Sequence, residues 1–355
     1  AKDVAEGAAA ERAAGQPRAL PAWREVAGCD VLAPEEPTAV VHFVGGAFAS
    51  ASPLIYRRLL EEIVSETGAV VVATPYSTAF NHDAAAEEAS GKFDVALAEL
   101  EGAQAVKEGL PVFGVGHSLG ALVTALIGAK PQARGRAGSV LVSFNQRPVT
   151  EAIPVPLPPP PPEEARALAE QLRDGVVAAL DEGRLREGIS AIQDAARSLG
   201  LPTLDALGGP KGRVSQLVSQ VGPILGDVAV GVREFFPAKD EIAARLRTEY
   251  AQARTVIVQF GNDAIDETPW IRGALEAARD AAEAERAAPA AEGAALARPE
   301  LQIECLRLPG GHTSPVDLPD LVRSPEHVDR IRRLAQAVGR MVRGEGLPVA
   351  AAHAA

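Results

Sequence analysis

The chain has 355 residues, of which 47% are hydrophobic, so it can bury a substantial core as one large α/β domain with an insertion or as two smaller domains. A net charge of −12 and a pI near 5.1, with no Lys/Arg stripe, argue against a nucleic-acid or anionic-lipid surface. Cys29 and Cys305 lie far apart, form no zinc pattern and suit a reducing compartment or one optional bridge.

The first residues, AKDVAEGAAAERAAG, begin without Met and read as a processed or trimmed end. Residues 1–35 are taken as a tail and lead-in. Thr38–Val44 (TAVVHFV) reads as a strand, followed by two glycines and a helix near Pro53–Glu66. Ala69–Thr74 (AVVVAT) is a second strand, and Asp83–Glu108 is a long amphipathic helix. Pro111–Ala129 (PVFGVGHSLGALVTALIGA) carries no charge over nineteen residues, the length of a bilayer span. Its leading proline, four glycines and His-Ser pair favour a buried strand turning into a buried helix, with the strand over Pro111–Val115. Ser139–Phe144 (SVLVSF) is a fourth strand.

The rhythm then breaks at Pro154–Pro162, a polyproline-like spacer, and about ninety mostly helical residues follow to Tyr250. It resumes with a strand at Thr255–Phe260 (TVIVQF), a helical stretch at Ile271–Ala297, a strand at Leu301–Leu308 (LQIECLRL) and a helix near Pro325–Arg343. Strands alternating with helices imply parallel βαβ units in a doubly wound, mostly parallel sheet. The expected organisation is an α/β core over 36–150 and 251–345, a Pro-rich arm with a helical cap over 151–250, and a tail over 346–355.

Within that frame, GVGHSLG places Ser118 between a strand and a helix, the setting of a nucleophile elbow. The pentapeptide alone is weak evidence, and Ser118 as a simple helix N-cap is the structural alternative. At Gly116 and Gly120, on either side of His117-Ser118-Leu119, side chains would collide with neighbouring strand and helix. The Leu119 N–H, at the positive end of the helix, can point at a forming oxyanion. Of six histidines, His312 in LRLPGGHTSP follows the last strand, where a loop brings an imidazole over the active edge of the sheet. His42 lies inside a strand, His117 beside the serine with its side chain directed elsewhere, and His353 in the tail. His327 suits a capping role and His82 a rim or local one. In QFGNDAIDETPW, Asp263 is the favoured partner for His312 and Asp266 the alternative, while Glu267 also lies close in sequence. The turn in HFVGGAF can aim the N–H of Gly46 or Ala47 at the same oxyanion, and it lacks both G-x-G-x-x-G and the P-loop lysine. No metal-ligand spacing occurs, so no metal and no cofactor are expected.

The blocks VHFVGGAFASASPLIYRRLLEEI, ATPYSTAFNHDAAA, LPVFGVGHSLGALVTALIG, SVLVSFNQRP, GNDAIDETPWI and LPGGHTSP resemble the α/β-hydrolase superfamily. Within it they are most similar to a cyanobacterial and plastid family known only as a conserved domain of unknown function. The resemblance runs over about residues 36–345, weakest in the helical insertion. It departs at SFNQ, where a second Asn would be expected. It implies Ser118, Asp263 and His312 as a catalytic triad, Gly46 or Ala47 with Leu119 as oxyanion donors, and a chloroplast address, in the stroma or on the stromal face of the thylakoid. Two functions are then expected: a serine hydrolase of an acyl ester or thioester, lipid-like, with the insertion as a lid; or an assembly or repair factor docked on a thylakoid complex through the insertion and the proline-rich arm. Neither requires a transmembrane span.

Overall fold

A computed structural model describes residues 20–46, 55–77, 80–147, 232, 234–287, 297–317 and 324–346. The Pro-rich arm, most of the helical insertion and both tails lie outside these residues.

Eight strands form one sheet in the order β1-β2-β4-β3-β5-β6-β7-β8. The strands are β1 (Arg24–Val26), β2 (Cys29–Leu32), β3 (Val40–Val44), β4 (Val70–Ala73), β5 (Val112–His117), β6 (Gly138–Val142), β7 (Arg254–Phe260) and β8 (Gln302–Leu308). Pairing is parallel from β4 through β8, while β1 and β2 run antiparallel at one edge. Strands β3, β4 and β6 are buried at every position, because helices cover both faces of the sheet.

The described helices are α1 (Arg57–Thr67), α2 (His82–Gly102), α3 (Leu119–Gly128), α4 (Lys239–Glu249), α5 (Thr268–Ala287) and α6 (Pro325–Val342). On one face, α1 and α6 pack together through Leu60, Ile63, Ile331, Leu334 and Val338 over Val41, Phe43, Val115 and Val256. On the other, α2, α3 and α5 cover the sheet and α4 packs on α3 and α5, with Leu122, Leu126, Ile242, Leu246, Ile271 and Leu275 in a common cluster. The uncharged run that could have spanned a bilayer is β5, a turn and the buried helix α3. Among the described residues no helix is long and apolar enough to cross a membrane. Cys29 and Cys305 are both free thiols.

Three differences from the sequence reading have clear causes. The lead-in contains the β1–β2 hairpin, whose two-residue turn, Ala27-Gly28, has positive φ at both positions and so matches the twist of the flanking strands. Its sequence carries no strand signal, because β1, Arg24-Glu25-Val26, is short and has no apolar alternation. Helix α2 stops at Gly102, six residues before its expected end. Gln104 takes the left-handed conformation (φ 57°), and the amides of Ala105 and Val106 turn back to the Leu100 carbonyl. Helix α4, inside the range assigned to the insertion, buries Ile242 and Leu246 against α3 and α5 and so packs as part of the core.

Candidate active site

The elbow is built by close backbone approach. A Cβ on Gly116 would stand 2.2 Å from the Gly120 carbonyl oxygen, and one on Gly120 would stand 2.1 Å from that of Val44. Without side chains at these positions, α3 starts hard against β3 and β5, and the chain turns within one residue. Ser118 makes that turn at φ 57°, ψ −124°, a conformation that costs an L-residue on the order of 1–3 kcal/mol. Its amide donates to the Val142 carbonyl of β6 at 2.9 Å, which anchors the turn to the sheet. The Ser118 side chain makes no capping bond to α3, so the N-cap alternative does not describe it. Leu119 opens the helix, and its N–H has no acceptor within α3.

The Ser118 hydroxyl lies 2.8 Å from His312 Nε2, and His312 Nδ1 lies 2.9 Å from Asp263 Oδ2. The carboxylate can only accept, so Nδ1 carries the proton, which leaves Nε2 as acceptor for the Ser118 hydroxyl. The His312 side chain is 23% exposed and that of Asp263 is fully buried. Burial pushes the Asp263 pKa up, but the His312 hydrogen bond and charge, the nearby Ser143 hydroxyl and the Ile265 amide outweigh it, and the net shift is downward. Asp263 therefore stays ionised beneath the imidazole.

The loops carrying these groups are tied to each other. Gly261 N–H donates to the Leu308 carbonyl at 2.9 Å and Asn262 N–H to the Gly310 carbonyl at 2.8 Å. Ile265 N–H donates to Asp263 Oδ1 at 3.1 Å, which fixes the carboxylate. Asp266, the alternative partner, does not reach His312. Its Oδ1 accepts from Thr268 N–H at 2.9 Å and from Gln259 Nε2 at 3.0 Å, and its Oδ2 accepts from the Thr268 hydroxyl, so it forms the turn that starts α5. Glu267 accepts from the Gln146 amide and pairs with Lys239 at the start of α4.

Three expectations need adjustment. His117 does not point away from the site: it is buried between Tyr56 Oη, 2.9 Å from its Nδ1, and the His312 carbonyl, 2.9 Å from its Nε2. The Gly46 amide is not free, because it donates to Tyr56 Oη at 2.9 Å, and Ala47 lies outside the described residues. His82 is not a rim group, for its ring is buried against Phe235 with neither nitrogen hydrogen-bonded to any described residue. His42 is buried in β3, stacked on Phe93 and bonded to Arg136, and His327 is buried near Asp317. Tyr56 was missed altogether. It carries no motif, and a tyrosine beside α1 reads as ordinary core. Among the described residues no three His, Cys, Asp or Glu side chains could hold a metal ion.

No curated protein matches the sequence. Residues 22–185 match the family described as "Protein of unknown function (DUF1350)". The chain is similar to a solved thioesterase domain from the curacin biosynthetic pathway at 13% identity, covering 90% of this chain and 99% of that one, with a TM-score of 0.41. A thermophilic esterase from Thermogutta terrifontis aligns at 15% identity over 91% and 98%, with a TM-score of 0.40. A peroxisomal alpha-beta-hydrolase from Saccharomyces cerevisiae aligns at 12% identity over 93% and 89%, with a TM-score of 0.43. Strand order, the parallel core with its antiparallel edge and the strand–turn–helix elbow after β5 give the chain the α/β-hydrolase fold, and its residues 22–185 match a family of unknown function.

Proposed function

We propose that the protein is a serine hydrolase of an ester or thioester, with Ser118 as nucleophile, His312 as base and Asp263 as the carboxylate that orients it. The observation that carries this reading is the unbroken line of hydrogen bonds from the Ser118 hydroxyl through His312 to a buried carboxylate. Ser118 Oγ attacks the acyl carbonyl carbon while its proton passes to His312 Nε2. The negative charge that gathers on the carbonyl oxygen is met by the Leu119 N–H at the start of α3; the second donor, assigned from the sequence of the HFVGGAF turn, is the N–H of Ala47. Gly46 is not assigned this role, since its N–H is committed to Tyr56. Collapse expels the alcohol or thiol, which takes the proton from His312. Water, deprotonated by the same imidazole, then hydrolyses the acyl-enzyme and restores Ser118.

A lipid-like acyl group and a chloroplast setting are carried by the family resemblance alone. The thylakoid-docking reading rests on Val214–Phe236 and the proline-rich arm, nearly all outside the described residues, so the hydrolase reading is preferred. The test is turnover of nitrophenyl esters of increasing chain length and of an acyl thioester. Loss of all turnover in Ser118→Ala is expected; turnover that survives in that variant would remove Ser118 from the reaction.

A further inference from the structure

We infer that Tyr56 and His117 are positioning residues, which join the turn after β3 to the loop of His312 through one buried hydrogen-bond chain. This inference rests on the proposed hydrolase reading. Its geometry is three contacts of 2.9 Å: Gly46 N to Tyr56 Oη, Tyr56 Oη to His117 Nδ1, and His117 Nε2 to the His312 carbonyl oxygen. Both ends are backbone groups, and together they fix the direction of every bond. A carbonyl only accepts, so His117 Nε2 carries a proton. Burial, and then the proximity of His312, hold the His117 pKa down at about 3, so the ring is neutral and Nδ1 is an acceptor. Tyr56 must therefore donate its hydroxyl proton to Nδ1, which leaves its oxygen to accept from Gly46. Burial also pushes the Tyr56 phenol well above its ordinary value, which keeps that proton in place.

The start of α1 grips the same loop a second time. Asp317 N–H donates to the Ile55 carbonyl at 2.6 Å, and Asp317 Oδ2 accepts from Arg58 N–H at 2.8 Å. Residues 55–58 thus reach the His312 loop twice, through Tyr56 and His117 at the His312 carbonyl and directly at Asp317. Neither Tyr56 nor His117 touches the Ser118 hydroxyl or the Asp263 carboxylate through a hydrogen bond, so both act through others. What they set is the main-chain position of His312, and with it the placement of Nε2 over Ser118. They also set the orientation of the Gly46 peptide, which precedes Ala47. A misplacement near 1 Å in such a constellation costs roughly 100-fold in rate.

The experiment is the second-order rate of phosphonylation by a fluorophosphonate, with melting temperature followed in parallel, on the full chain. Tyr56→Phe, which deletes one hydroxyl, and His117→Leu should each label roughly 10- to 100-fold more slowly than wild type. His117→Gln keeps an N–H donor for the His312 carbonyl and should recover to within about threefold, a rescue that a space-filling role would not give. In wild type, the ¹⁵N shifts of His117 should report the Nε2–H tautomer, neutral at pH 5. If wild type labels and Tyr56→Phe and His117→Leu label at its rate, or if His117 carries its proton on Nδ1, the chain is overturned while the hydrolase reading stands. If wild type does not label at all, the hydrolase reading falls and takes the positioning role with it.

Discussion

The role of each carboxylate near the site follows from what its oxygens hold. Asp263 faces His312, whereas Asp266 spends both oxygens on Gln259 and Thr268. Asp263→Asn should lower ester turnover roughly 10³- to 10⁴-fold with little change in folding. Asp266→Ala should instead cost about 1 kcal/mol of stability in urea unfolding, as a lost helix-start contact, and leave phosphonylation of Ser118 within a few-fold. Equal loss of labelling in the two variants would contradict this division. The sequence left the pair open because both lie in one Asn-Asp turn three residues apart. The choice is made by the backbone turn at Gly261-Asn262, which composition does not encode. The sequence marks Ser118 and His312 as candidates for a firmer reason: Ser118 lies between Gly116 and Gly120, His312 directly follows Gly310-Gly311, and each comes after a predicted strand.

His82 makes a different residue-scale case. Its ring is buried and has no hydrogen-bond partner among the described residues, and burial pulls its pKa down to about 4, against an ordinary value of 6.5. Only the unfolded chain takes up this proton between those values. Its contribution is therefore fully present above pH 6.5 and is lost as pH falls towards 4. His82→Leu should gain on wild type by about 1.4 kcal/mol per pH unit across that window, read as the difference in urea-unfolding free energy. A difference that stays constant from pH 7 to pH 4.5 would contradict the assignment.

Among the elements, the elbow depends most heavily on two missing side chains. A Cβ at Gly120 meets the Val44 and Gly45 carbonyl oxygens, and one at Gly116 meets that of Gly120, all backbone atoms that cannot rotate away. Gly120→Ala should destabilise the protein by about 3 kcal/mol and displace Ser118, seen as a lower urea midpoint together with lost labelling. Normal stability and labelling in Gly120→Ala would mean that α3 has room to move. The central parallel strands β3, β4 and β6 were legible because strands covered on both faces are largely apolar, whereas β8, at the sheet edge, carries Gln302, Glu304 and Arg307 among its apolar residues. Helix α2 was overrun because a glutamine, Gln104, sits in the left-handed position that glycine usually marks.

In the whole molecule, the sheet extends further towards the N-terminus than the sequence suggested. Cys29, Val31 and Leu32 are fully buried, and β2 completes the hydrogen bonding of β4. A chain begun at residue 36 should lose roughly 4 kcal/mol or more, seen as a fall in melting temperature or failure to fold, because that apolar surface and the β4 edge become exposed. Unchanged stability would make the hairpin an appendage. The fold itself was legible from the alternation of strands and helices, since that alternation is the physical requirement of a parallel sheet. The link from Tyr56 through His117 to His312 joins residues 56, 117 and 312, and its side-chain contacts leave no local pattern in the chain.

The most direct measurement is the intact mass of the purified protein after reaction with a fluorophosphonate, beside Ser118→Ala and His312→Ala. A single adduct on wild type, absent from Ser118→Ala and nearly absent from His312→Ala, is the expected result. A folded wild-type protein that takes up no adduct, or an adduct that persists in Ser118→Ala, would contradict the assignment of Ser118 as an activated nucleophile.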